Sequence, residues 1–487
     1  MKNMKKLGCI LLGIGIMLAG FLLPAMGPVT EVGIKVAFIF LGTLFLWSTV
    51  GGPWVSLLAI ALVGLSGYTE NFASAFTKAF GDDGFILCML AFILFGGGLT
   101  ASKSMEYVTK YILTRKFIAG KPYIMLATIG ICSFLLAFVV NQMVSAIIMF
   151  SIVAAICKTV GIEHGKDKIW IYMFGMIFLG AGIGQPGFVY KGIGLALIRV
   201  FTTVAEGSAT ISANGYMLYN IIMSMLLLGV FLLLIKFVFR PDVSKLKSIT
   251  VESIEQASVL PPINSAQKAY LWMLLAFLLM TILPTMGPLA KMPMFGILRI
   301  VSVLGVLVFW IVIFAITKVD GKPLLNIQQA AGQGIVWNVL LMIAAGLMLG
   351  TAIGNPELGI IVVMKQFLTP LLAGKPTLVV VFIIFLVAML ITNFAVNAAM
   401  AIALMPVVVA CSAQLGLNPA PIALGVMMIC FIAMMTPAAS PLAALCYGED
   451  KYYTPKEIQS YAIILSFLAV ILFTFIGYPL ASILVNI

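Results

Sequence analysis

The strongest constraint on this chain is its succession of apolar runs of about 20 residues or more, separated by short polar stretches. Lipid offers the backbone no hydrogen-bond partners, so such runs must become helices that satisfy their own peptide groups. Composition agrees, with 63% of the 487 residues hydrophobic and 9% charged, against about a quarter charged in soluble domains. The chain is therefore read as an all-α polytopic membrane protein with room for about 10 to 14 segments. Its net charge of +12 would point to nucleic acid in a soluble protein. Here it reports topology, because Lys and Arg collect on the cytoplasmic side of short loops. The seven cysteines are odd in number and form no CxxC pair, so they read as small hydrophobes.

Helices are expected near 7–24, 32–50, 53–67 and 84–101, with Lys2, Lys5 and Lys6 keeping the N-terminus cytoplasmic. The start resembles a secretory signal but lacks an obvious small-residue cleavage site, so it reads as a retained first helix. Residues 103–118 mix Glu106, Lys110, Arg115 and Lys116 with Met105, Val108 and Tyr111, the pattern of a helix lying in the cytoplasmic interface. The apolar run from Pro122 to Lys158 is too long for one crossing at about 1.5 Å per residue. It carries Asn141 and Gln142 at its centre, which predicts a re-entrant hairpin. A helix over 170–199, interrupted by Gly180, Gly182, Gly184, Pro186 and Gly187, and another over 215–239 complete a first core spanning 84–239. Residues 240–268 read as a cytoplasmic linker, followed by helices near 269–283 and 294–317. The second core, 334–487, comprises a helix near 334–353, an interfacial piece over 356–372 and a second overlong run to Cys411 carrying Asn393 and Asn397. A helix over 420–446, broken at Thr436, Pro437 and Pro441, and a last helix over 458–485 end it.

The halves match. Ala119, Gly120, Lys121, Pro122 reappear as Ala373, Gly374, Lys375, Pro376; Val140, Asn141 as Val396, Asn397; and Met149 as Met405. With the N-terminus inside, the helix at 84–101 runs inward and its counterpart at 334–353 outward, so the repeats are inverted. About 20 of the 28 Lys and Arg then face the cytoplasm. This supports about 11 spanning helices plus two hairpins, with the C-terminus outside. Inverted repeats with broken helices are the architecture of alternating-access carriers.

A hairpin reversing in mid-membrane leaves peptide groups unpaired, which is tolerated only against protein, ions or a water-filled cavity. Helices that start there aim N–H groups and partial positive charge at an anion. Asn141, Gln142, Asn397 and Ala398 are accordingly candidate substrate-binding tips; the alternative is that each Asn merely caps its turn. The breaks free carbonyls for a hard cation such as Na⁺, and Pro186, Thr436 and Pro437 are candidates beside the substrate. Lys191, five residues past Pro186, is a candidate fixed charge near the first break; the alternative is that it snorkels to the interface. All 16 acidic residues fall in loops or near segment ends, which argues against the buried carboxylate relay of a proton pump. His164 is the sole histidine, and no hydrolase set accompanies it, so neither catalysis nor a resident cofactor is expected.

This order of motifs resembles the divalent anion:sodium symporter family of the wider ion transporter superfamily. The family carries Ser-Asn-Thr at each tip, followed by small residues and a Leu/Met-Pro. Val396, Asn397, Ala398, Ala399 with Met405, Pro406 resembles the second copy, and Val140, Asn141, Gln142 with Met149 the first. Thr436, Pro437 resembles the Thr-Pro of the second broken helix, and Gln185, Pro186 is a weaker match to the first. The resemblance implies an elevator-type carrier in the cell membrane, a homodimer, moving a di- or tricarboxylate with Na⁺. It implies Asn141, Gly182, Gly184, Asn397 and Ala438 around the Na⁺. The tip hydroxyls are replaced by Val140, Gln142, Val396 and Ala398. A sodium-independent exchanger, a carrier of another anion such as sulfate, and a Na⁺/H⁺-type antiporter therefore stay open. Lys191 is read as a fixed charge that partly replaces a sodium ion.

Overall fold

The computed structural model describes residues 2–81, 83–257, 260–285, 293–363, 366, 374–448 and 451–485. Ala373 and most of the expected interfacial piece beyond Val363 lie outside them. The apolar runs form helices, beginning with α1 (Lys2–Ala19), α2 (Glu31–Thr49) and α3 (Pro53–Leu65). Next come α4 (Phe72–Phe80) and α5 (Asp83–Ala91), the latter continuing through a π-helical segment, Phe92–Leu99. The short α6 (Ser104–Leu113) precedes α7 (Pro122–Val139), α8 (Gln142–Thr159), α9 (Ile169–Gly184), α10 (Ile193–Val204) and α11 (Ala213–Leu234). After the polar linker with α12 (Val251–Ala257) stand α13 (Ser265–Ile282), α14 (Pro293–Ile316), α15 (Ile327–Gly334) and α16 (Trp337–Gly354). The second core continues with α17 (Thr377–Thr392), α18 (Asn397–Ala403), α19 (Met405–Gln414), α20 (Pro419–Phe431), α21 (Pro441–Gly448) and α22 (Pro455–Leu472). Two-residue strands, Lys318–Val319 and Lys322–Pro323, make one small ladder.

Three short helices, α4, α12 and α15, go beyond the sequence reading. The stretch after Tyr68 contains α4, started by a capping box in which Asn71 accepts Ser74 N–H at 2.9 Å. α15 lies against the π-helical segment so closely that a Cβ on Gly97 would stand 2.2 Å from Ala330 O, an approach only glycine permits.

Both overlong runs fold back. Ser145 Oγ donates to Ser133 O at 2.7 Å, a contact that a straight helix would separate by about 18 Å. The two ends of this hairpin also meet one linker segment: Gly120 N–H donates to Ile249 O at 3.0 Å and Lys245 Nζ to Gly161 O at 2.8 Å. In the second run Val380, near the start of α17, belongs to one buried cluster with Cys411 of α19. Pro406 separates α18 from α19, since it cannot supply a helical N–H.

The two repeats run in opposite directions. Trp170, at the start of α9, donates to Tyr452 O just after α21 at 2.9 Å, and His164 pairs with Glu457 at the start of α22 at 3.0 Å. The first broken helix thus begins on the face where the second one ends. Their inner ends meet at Gly182, where a Cβ would lie 3.2 Å from Phe431 O.

Candidate transport site

Each hairpin tip is seated on the break of its own repeat. At the first, Val140 (φ −101°, ψ −91°) ends α7 and Asn141 adopts extended backbone, its Oδ1 accepting Val144 N–H at 2.8 Å as the cap of α8. Gln142 N–H, the first of α8, donates across to Gln185 Oε1 in the break at 2.8 Å. At the second tip Asn397 N–H, the first of α18, donates to Ala439 O in its break at 2.9 Å. Gln142 and Asn397 therefore occupy equivalent helix positions, and the Val-Asn match read from the sequence is one residue out of register. The cap position before α18 is filled by Val396, which has no side-chain acceptor.

Both asparagines use their carbonyl ends on local N–H groups, Asn141 on Val144 and Asn397 on Ala398 at 2.8 Å. Among the described residues neither Nδ2 has a protein partner, so each tip presents an amide donor pair. Gln142 is 7% exposed and its Oε1 has no partner among the described residues, an orphan that a bound water or solute would satisfy. Pro437 and Ala438 are exposed and Thr436 is half-buried. The breaks themselves are braced by tyrosines: Tyr216 OH donates to Pro186 O at 3.0 Å, and Tyr447 OH to Met435 O at 2.7 Å. Gly182 O and Gly184 O each accept a turn N–H, from Gln185 and Gly187, both at 3.2 Å. Each carbonyl keeps a second lone pair for a cation. The glycines also serve packing, since a Cβ on Gly184 would lie 2.5 Å from Phe134 O.

Asn393 holds the second site together. It is 1% exposed; Nδ2 donates to Met389 O at 2.7 Å, Oδ1 accepts Met435 N–H at 2.8 Å, and its own carbonyl accepts Thr436 Oγ1. Lys191 does not snorkel: it is 3% exposed and its Nζ donates to Ala137 O of α7.

The family described as "Sodium:sulfate symporter transmembrane region" matches residues 4–487. The chain belongs to this family. As a sodium:sulfate symporter family member it is a polytopic membrane transporter protein, in line with its resemblance to the divalent anion:sodium symporters. Two solved structures share the fold. The Alcanivorax borkumensis YdaH transporter aligns with TM-score 0.55 at 14% identity, covering 93% of this chain and 98% of its own. Neisseria gonorrhoeae MtrF, described among antimetabolite efflux pumps, aligns with TM-score 0.57 at 13% identity, covering 98% of both chains. No curated protein matches the sequence.

Within this symporter-family chain, Gln185, Tyr216, Asn393 and Tyr447 are the site-forming residues that sequence reasoning passed over or named without a role. Asn393 carried a usable signal, a carboxamide within the second apolar run. Gln185 carried the same signal within the 170–199 run, whereas the two tyrosines did not, because a tyrosine near a helix end is as readily an interfacial anchor.

Proposed function

We propose that the chain is an elevator-type secondary carrier that moves a small anion, a di- or tricarboxylate first and sulfate second, coupled to Na⁺. The observation that carries this is the paired seating of the tips: each reversal is pinned to its own break, the breaks meet at Gly182 and Phe431, and Asn141 and Asn397 keep free amide donors. An anion resting there would receive neutral donors and the positive ends of α8 and α18. Na⁺, as cargo, would take carbonyl oxygens of the breaks, with Asn141, Gly182, Gly184, Asn397 and Ala438 as candidates. Thr436 and Pro437, beside the second tip, are candidates for the substrate side, as is Pro186 beside the first. The hairpins and broken helices would move together against α16, which packs on α3, α10 and α18. A homodimer with the N-terminus cytoplasmic and the C-terminus outside belongs to the same reading. The family's description favours keeping sulfate in the substrate panel.

The test is uptake of radiolabelled succinate, citrate or sulfate by liposomes holding the purified chain, with and without a Na⁺ gradient. Na⁺-driven accumulation of one of them is expected. Exchange of preloaded anion without Na⁺ dependence would assign an exchanger instead, and Na⁺-driven pH change without any anion a cation antiporter.

A further inference from the structure

Lys191 is buried beside the first hairpin. Among the described residues the Lys191 side chain makes a single hydrogen bond, to Ala137 O, and pairs with no carboxylate. Ala137 lies in the last turn of α7, where Val140 N–H closes on Leu136 O and the reversal then carries the chain out of the helix. The carbonyls beyond Leu136 thus belong to the end that helical N–H groups no longer reach. That end is the negative pole of the helix, where a cation is held best. An anion placed there would face carbonyl lone pairs, whereas the free donors of Asn141 lie past the reversal, so the ammonium is placed as a cation for the hairpin and not as a substrate ligand.

We propose that Lys191 is a tethered cation that takes the place of a coupling Na⁺ at the carbonyl end of the first hairpin, leaving Na⁺ to bind in the second half alone. The proposal rests on the carrier reading above and narrows its Na⁺ candidates to Asn397 and Ala438 of the second half. A Na⁺ about 5 Å from the ammonium, at an effective dielectric near 20, would lose on the order of 100-fold in affinity.

The experiment measures ²²Na⁺ bound to the purified full-length chain by scintillation proximity, alongside Na⁺ activation of anion uptake in liposomes. The native chain is expected to bind at most about one Na⁺, with a Hill coefficient of about one. Lys191→Gln, whose amide can still donate to Ala137 O without a charge, should gain one further Na⁺ and raise the Hill coefficient towards about two. Lys191→Arg should behave as the native chain does. Two or more Na⁺ on the native chain overturn the proposal, whether or not any variant folds. So does a Lys191→Gln chain that is monodisperse, melts cooperatively and binds no additional Na⁺. A native chain that binds one Na⁺, gains one on Lys191→Gln and carries none of the anions would sink the substrate reading while leaving this one standing.

Discussion

Replacing Asn393 with Ala should release the second break from its hairpin tip. The side chain is buried and bridges Met389 O to Met435 N–H, at 2.7 and 2.8 Å. Its loss removes two hydrogen bonds worth about 1 kcal/mol each and leaves the Met435 donor unpaired, a further cost of about 1–3 kcal/mol. Because part of this overlaps, the total is about 2–4 kcal/mol, or roughly 30- to 900-fold in a local opening equilibrium at about 1.36 kcal/mol per decade. Amide hydrogen exchange in peptides covering 433–440 reads that factor directly. Protection there should fall by that amount while the first break, 185–192, keeps its own, and anion uptake should drop in parallel. Unchanged exchange at 433–440 would refute the argument that Asn393 seats the tip. A loss spread evenly over the chain would refute it too, by showing that the residue supports the whole fold and not one site.

Gly184→Ala forces a Cβ to within 2.5 Å of Phe134 O, while Gly229 has nothing within 4 Å. The first should lower the unfolding temperature through about 1–3 kcal/mol of overpacking, and Gly229→Ala should leave it unchanged or raise it, up to about 1 kcal/mol from helix propensity. Tyr447→Phe removes the donor to Met435 O at 2.7 Å; a stability loss of about 1 kcal/mol and an altered Na⁺ concentration dependence of uptake are expected, both measurable in the same preparation. Asp167 is held below its ordinary value of 3.8 by the Lys245 ammonium and then by Glu163 N–H. A depressed carboxyl contributes stability above its unfolded pKa and loses it as pH falls through the folded one. The grip of the linker on the hairpin ends should therefore be intact above pH about 4 and weaken below it. Thermal unfolding across pH 3 to 6 should show this dependence flattened in Asp167→Asn.

Much of the architecture was legible in one dimension. The length of an apolar run sets whether it crosses or turns back, and Asn141 and Asn397 marked the two reversals because a carboxamide in hydrocarbon needs a partner. Pro186, Pro437 and Pro441 marked the breaks for the equally local reason that proline lacks an N–H. Short helices escaped: α4 and α15 owe their stability to a capping box and to glycine-mediated contact, features too brief for an apolar pattern.

Membrane class and the doubled hairpin and broken helix follow from backbone satisfaction in lipid, and the opposed direction of the repeats follows from counting crossings against the placement of Lys and Arg. Which groups meet is set by the packing of the folded chain. Gln142 pairs with Gln185 across 43 positions and Met435 with Asn393 across 42, and the helix frame moves the match to Asn397 from Asn141 to Gln142. Lys191 could have reached for water at the interface, and the fold turned it inward to Ala137 O. Such pairings join generic donors and acceptors far apart in the chain, and their identity is fixed by packing geometry that no local pattern encodes.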